Sequence, residues 1–138
     1  MSHATGVAVS HHGNYAYVAG RDSDSFVVVD VSDPSSPTVV GSITGNSTHV
    51  DFPHGVAVSL DGNYAYVAGY YSDSIAVVDV SDPISPTVVG SITGDSTHMN
   101  NTLGALGVAV SPDGNYTYVA GCHSDSFAVV QWQTCTIH

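Results

Sequence analysis

Eight histidines and twelve acidic residues, every one an aspartate, are the side chains of this 138-residue sequence best suited to chemistry. Imidazole together with carboxylate suits zinc or a related ion. His49, His54, His98 and His123 all fall in connecting segments, with Asp51 nearby. No spacing among them is a ligand motif, so solvated loop residues are the expectation. The aspartates would suit calcium, but Asp24, Asp33, Asp61, Asp82 and Asp113 stand in Gly-, Ser- and Pro-rich turns. There a carboxylate bonds its own backbone, and no EF-hand or glycine-rich calcium repeat is present. No metal and no cofactor are expected. Catalysis has little to draw on: there is no Glu, no Lys, no nucleophile elbow, no phosphate-cradling glycine loop and no coupled Cys/His motif. Cys122 and His123 are adjacent, so at a strand end their side chains diverge. Cys135 leaves the next strand at its far end, ~30 Å away by strand rise, so free or intermolecular thiols are expected. No catalytic residue is assigned, and the chain is read as non-enzymatic.

Charge narrows the partners. Arg21 is the only strong cation, and the formal net charge is −11. Binding phosphates requires clustered Lys and Arg, so nucleic acid is excluded, and a polybasic membrane contact fails for the same reason. Hydrophobic residues make up 43% of the chain, which argues against disorder. Charged residues are 9%, against about 25% in an ordinary soluble domain. No run of apolar residues is long enough to span a membrane, so no insertion is expected. The first thirteen residues lack the basic stretch and apolar run of a signal peptide, as in a cytosolic chain or a mature or partial one. Three sequons, at Asn46, Asn100 and Asn115, are candidate glycosylation sites. With a surface solvated by hydroxyls and amides, they point to an extracellular or cell-surface protein.

The elements that position these residues repeat. Gly-Val-Ala-Val-Ser occurs at 6–10, 55–59 and 107–111, and segments 13–44 and 62–93 align without a gap, differing at five positions of 32. Each unit reads as four short strands, in blade one A (7–10), B (15–19), C (26–31) and D (38–43). His12-Gly13-Asn14, Asp61-Gly62-Asn63 and Asp113-Gly114-Asn115 supply tight A–B hairpins with positive φ. Ser32-Asp33-Pro34 and Ser81-Asp82-Pro83 separate C from D, since proline cannot donate to a ladder. Strand C is almost continuously apolar, which means that both sheet faces are covered. A four-stranded antiparallel meander, covered on both faces and repeated at intervals of 49 and 52 residues, is a β-propeller blade. The fold expected is all-β: blade 1 at about 6–48, blade 2 at about 49–97, and an incomplete blade 3 at about 98–138. Tyr15, Tyr17, Tyr64, Tyr66, Tyr116 and Tyr118 alternate along the B strands, a pattern expected to serve inter-blade packing rather than sugar stacking.

Tyr15-Ala16-Tyr17-Val18-Ala19, Val28-Val29-Asp30-Val31-Ser32-Asp33-Pro34 and Pro37-Thr38-Val39-Val40-Gly41 resemble the LVIVD-type propeller repeat. His54-Gly55-Val56-Ala57-Val58-Ser59 with Asp61-Gly62-Asn63 is similar to the YVTN-type repeat of prokaryotic surface-layer propellers. The resemblance covers about 130 residues and implies the fold and an extracellular or envelope setting. It carries over no catalytic residue.

Three blades fall short of the four to eight of closed propellers. After Val130, Gln131 replaces the strand C aspartate and the third strand D is missing. Four strands at ~4.8 Å spacing and ~18 Å length present a face of roughly 350 Å². Two unpartnered faces would expose about 700 Å², more than a soluble monomer usually tolerates. The expectation is therefore self-association, as a six-bladed dimeric ring or a head-to-tail filament; a fragment of a larger propeller is the remaining possibility. An alternative is a lectin-like or protein-binding module. The meander places every B–C loop and D–A linker at one end, and the variable positions there form a candidate rim: Arg21, Asp22, His49, His54, Tyr70, Tyr71, His98 and His123. A lactonase-like propeller enzyme is a distant third reading.

Overall fold

A computed structural model describes residues 3–44, 52–70, 74–93, 105–121 and 126–131. Among these residues there are eleven strands and no helix. Blade one comprises β1 (Ala4–Val9), β2 (Tyr15–Gly20), β3 (Ser25–Asp30) and β4 (Thr38–Thr44). Blade two repeats it as β5 (Pro53–Val58), β6 (Tyr64–Gly69), β7 (Ser74–Asp79) and β8 (Thr87–Thr93). Blade three holds β9 (Ala105–Val110), β10 (Tyr116–Gly121) and β11 (Ser126–Gln131). Each sheet is an antiparallel meander in chain order. The registers of blades one and two coincide, with Tyr15 opposite Asp30 and Tyr64 opposite Asp79. The first strand starts earlier than its apolar alternation indicates. A bulge between Ala4 and Gly6 extends β1 toward the N-terminus, where hydrogen bonding rather than burial holds it.

Local chemistry explains the breaks between strands. Gly13, Gly62 and Gly114 turn the A–B hairpins at φ of 74°, 78° and 77°, a region open to glycine. In blades two and three the preceding aspartate locks the hairpin: Asp61 Oδ1 accepts from Asn63 N at 3.0 Å and from Ser59 Oγ at 2.6 Å. Asp113 makes the same bonds to Asn115 N and Ser111 Oγ. Asp33 and Asp82 accept from Ser35 N and Ile84 N in the C–D turns. The strand-ending Asp30 and Asp79 accept from Ser32 and Ser81. Asp24 departs from this local pattern. Its Oδ1 reaches into blade two and accepts from Phe52 N at 2.8 Å.

The blades stack face on face. Blade one presents Tyr17, Ala19, Phe26 and Val28, which meet Val56, Ala65, Val67, Ala76, Val78 and Val80 of blade two. The opposite face of blade two repeats the first set as Tyr66, Ala68 and Ile75, packed on Val119 and Val130 of blade three. Each blade thus has a tyrosine-bearing face and a valine-rich face, joined in one direction only. Tyr17 and Tyr66 are buried between blades, as their alternation indicates. The first strands lie innermost, β1 against β5 and β5 against β9. A Cβ on Gly6 would stand 1.9 Å from the His54 carbonyl oxygen, so β1 and β5 touch through bare backbone. At the outer edge Gly41 of β4 sits under the C–D turn of blade two, where a Cβ would meet Pro83 O at 2.3 Å.

Gly6→Ala forces these inner backbones apart and destabilises the protein by about 1–3 kcal/mol, as overpacking does. Gly107→Ala in β9 is the control, because its Cβ meets only the Ala120 Cβ at 3.8 Å. Chemical denaturation of both variants is expected to lower the midpoint for Gly6→Ala alone.

Candidate binding rim

The end of the blades that carries the B–C loops is built by a repeated backbone device. Arg21 N donates to His3 O at 3.0 Å, and one repeat later Tyr70 N donates to Phe52 O at 3.1 Å. His3 and Phe52 both precede a first strand and both have positive φ, 49° and 53°. Asp24, at 44°, completes three non-glycine residues held in the left-handed region at this one end. Side chains there are rare in that region and need surrounding structure to hold them. Asp24 supplies it for Phe52 through the bond from Phe52 N.

Three of the eight rim residues converge around Phe52, and a fourth, Asp22, joins them through Arg21. The Arg21 guanidinium carbon lies 4.8 Å from the Phe52 ring centroid. Tyr70 and His54 stand 5.7 Å and 5.9 Å from the same ring, and 5.5 Å from each other. Arg21 Nε donates to Asp22 Oδ1 at 3.1 Å, and the Asp22 carboxylate also meets His3 Nδ1. Partial desolvation works to raise the Asp22 pKa, but the bonds from Arg21 and His3 outweigh it and hold the carboxyl below its ordinary value. Burial pushes the His54 pKa down, and the Arg21 charge adds to that. His49, Tyr71, His98 and His123 lie outside the described residues, as do Cys122, Cys135 and the sequons at Asn46 and Asn100. Asn115 is exposed, at the opposite end of blade three.

Phe52 falls in the D–A linker that the meander places at this end, whereas no sequence pattern identified His3 as a rim residue. Their common signal is positional, since both stand one 49-residue period apart immediately before a first strand. Chemically the cluster is an aromatic–cation latch between blades one and two. Among the described residues no group of three or more His, Cys, Asp or Glu could hold a metal ion.

With three repeated blades and their junctions established, comparison with known proteins is informative. The LVIVD repeat model matches residues 2–45, 54–94 and 105–130. The chain belongs to the LVIVD repeat family. Solved structures agree on the fold. A chain of the Kuenenia stuttgartiensis hydrazine synthase superposes with a TM-score of 0.71 at 23% identity, covering 93% of this LVIVD protein and 32% of that chain. A 6-phosphogluconolactonase-like protein from Bacteroides uniformis gives 0.77 at 19%, covering 95% and 37%. The Cps50 (Swd1) β-propeller domain from Myceliophteria thermophila gives 0.69 at 11%, covering 94% and 41%. The LVIVD chain spans a third to two fifths of the length of these structures, and the likeness shows the β-propeller fold alone. No curated protein matches the chain.

The lowered His54 pKa has a consequence for stability. Protonation of a group whose folded pKa lies below its unfolded value favours the unfolded chain. The contribution of His54 is therefore complete above the ordinary histidine value of 6.5 and is lost as pH falls through the lower folded value. Thermal melts of wild type and His54→Gln between pH 7 and 5 are expected to show a shallower acid loss for the variant.

Proposed function

We propose that this LVIVD protein is a non-enzymatic assembly module, which covers its two end faces by docking head-to-tail with a second copy of itself. One observation carries this reading: repeat positions that are buried inside the stack are exposed at its ends. Phe26 and Ile75, on the tyrosine-bearing faces of blades one and two, are both 0% exposed, whereas their counterpart Phe127 is 66% exposed. On the valine-rich face, Val56 is 8% exposed and its counterpart Val7 is 64%. Val9 and Val129 are exposed beside them, and Tyr118 stacks on Phe127 with ring centroids 5.9 Å apart.

The occupant follows from the chemistry of the two faces. Blade three ends on the face type that receives Val56, Val67 and Val78 inside the stack, and blade one ends on the type that those valines represent. One chain thus carries both halves of a junction that it already forms within itself. Such a contact is heterologous: it closes a ring if the rotation returns to the start and propagates if it does not. Placement at the cell exterior belongs to the same proposal, supported by the accessible Asn115 sequon and the low content of charged residues. The rim is the weaker basis for a function. Its one cation is engaged by Asp22 and by the Phe52 ring, so the cluster is better suited to joining blades than to capturing a ligand.

Light scattering on the full chain is expected to give twice the 14.2 kDa chain mass or an open-ended series. Phe127→Asp and Val7→Asp each reduce it to the single chain, because a carboxylate on either face must be desolvated to dock. An equimolar mixture of the two variants is expected to recover the doubled mass, since the mixture retains one unaltered junction. A monomeric wild type, or a mixture that stays monomeric, overturns the proposal.

A further inference from the structure

A cleft lies at the end of the blades opposite the rim, between blades one and two. Its volume is about 380 Å³, within the usual range for small-molecule sites. One wall is blade one, with Tyr15, Tyr17 and the hairpin residues His11, His12 and Asn14; the other is the hairpin and C–D turn of blade two, with Asp61, Asn63 and Ser81.

Two independent observations set this cleft apart from an ordinary gap between blades. The first is Tyr17. It is 2% exposed, yet its hydroxyl makes no hydrogen bond to the protein among the described residues. A buried phenol normally has a partner. No buried side-chain polar atom among the described residues is left unsatisfied, so this hydroxyl reaches the open space of the cleft that the residue lines. Burial, with Tyr15 close by, raises its pKa, and it stays a neutral donor and acceptor.

The second is His12. In blades two and three the same hairpin position is Asp61 or Asp113, each bonded to the serine before it and the asparagine after it. Blade one gives up both bonds. Its serine keeps only the bond that Ser10 Oγ accepts from Tyr15 N, and the imidazole of His12 makes no hydrogen bond among the described residues. Its neighbour His11 is fixed, with Nε2 donating to Ser59 O across the junction at 2.9 Å. A departure from the local rule in one copy of a repeat, at the lip of this cleft, is the pattern of a functional position.

We propose that the Tyr17–His12 cleft binds a neutral, hydroxyl-rich ligand, a saccharide of one or two units. The half-buried ring of Tyr15 suits the C–H face of a sugar, while the Tyr17 hydroxyl, imidazole and amide groups suit its hydroxyls. An anion is disfavoured, because the only carboxylate among the lining residues is Asp61 and the chain carries −11 with its one arginine at the far end. This site is independent of the end faces and does not require the assembly.

Saturation-transfer NMR on the full chain tests the site, with glucose, galactose, mannose, N-acetylglucosamine and their neutral disaccharides as probes and glucuronate as the anionic contrast. At least one neutral sugar is expected to show transfer, and glucuronate less. Tyr17→Phe keeps the ring packing and is expected to weaken binding about tenfold, the worth of one hydrogen bond. His12→Asp is the sharper variant, since it restores the hairpin of the other two blades. It is expected to raise the melting temperature above about pH 4, where the new carboxylate is ionised, while weakening sugar binding. That combination separates a binding role from a structural one. No transfer to any neutral sugar, stronger transfer to glucuronate, or unchanged transfer in both variants would overturn the proposal.

Discussion

Everything in this molecule depends on one contact: the apolar face of one blade closes on the different apolar face of the next. Phe26 and Val28 on one side of blade one, and Val67 and Val78 on the facing side of blade two, are removed from water together. Truncating a fully buried side chain such as Phe26 in a core of this kind costs about 3–5 kcal/mol. The junction is directional because the two faces differ. Tyrosine and phenylalanine project from one, and valine and alanine from the other, so the stack grows in a single sense.

Polar groups then set the angle between blades. Thr5 Oγ1 donates to Pro53 O at 2.9 Å, and Asp24 accepts from Phe52 N at the same end. His11 ties the opposite end to Ser59 O. Between these ends the backbones of β1 and β5 approach at Gly6 and His54. The rim and the cleft are by-products of this arrangement. Where the hairpins and turns of adjacent blades meet but do not interlock, a gap remains, and some hairpin residues at its lip are free of packing duties. His12 is such a residue, and its hairpin is less tightly bonded than the other two.

Much of the architecture was legible because it rests on local chemistry repeated three times. The hairpin glycines and the apolar third strand occupy the same place in every copy, and each aspartate turn in two copies of the three, so a mistaken reading of one would have conflicted with the others. The rim was half legible. Meander topology placed Arg21, Asp22, Phe52, His54 and Tyr70 at one end, but not His3, and it gave no sign of the left-handed backbone at His3 and Phe52 or of the Arg21 contact on the Phe52 ring. The cleft was not legible at all. Its tyrosines read as packing residues, which Tyr17 is, and His12 as part of a tight hairpin.

The sequence alone was enough to establish a propeller repeat, its strand order and turns, the absence of a basic surface, and an account of the aspartates as turn residues. These follow from interactions within about five residues, or from a periodicity that no packing detail can alter. Tertiary structure decided which faces are covered and which are open, that Asp24 serves a neighbouring blade rather than its own turn, and that Tyr17 keeps a hydroxyl facing open space. Those facts belong to pairs of segments 28 to 48 residues apart, brought together only when two apolar faces close on each other.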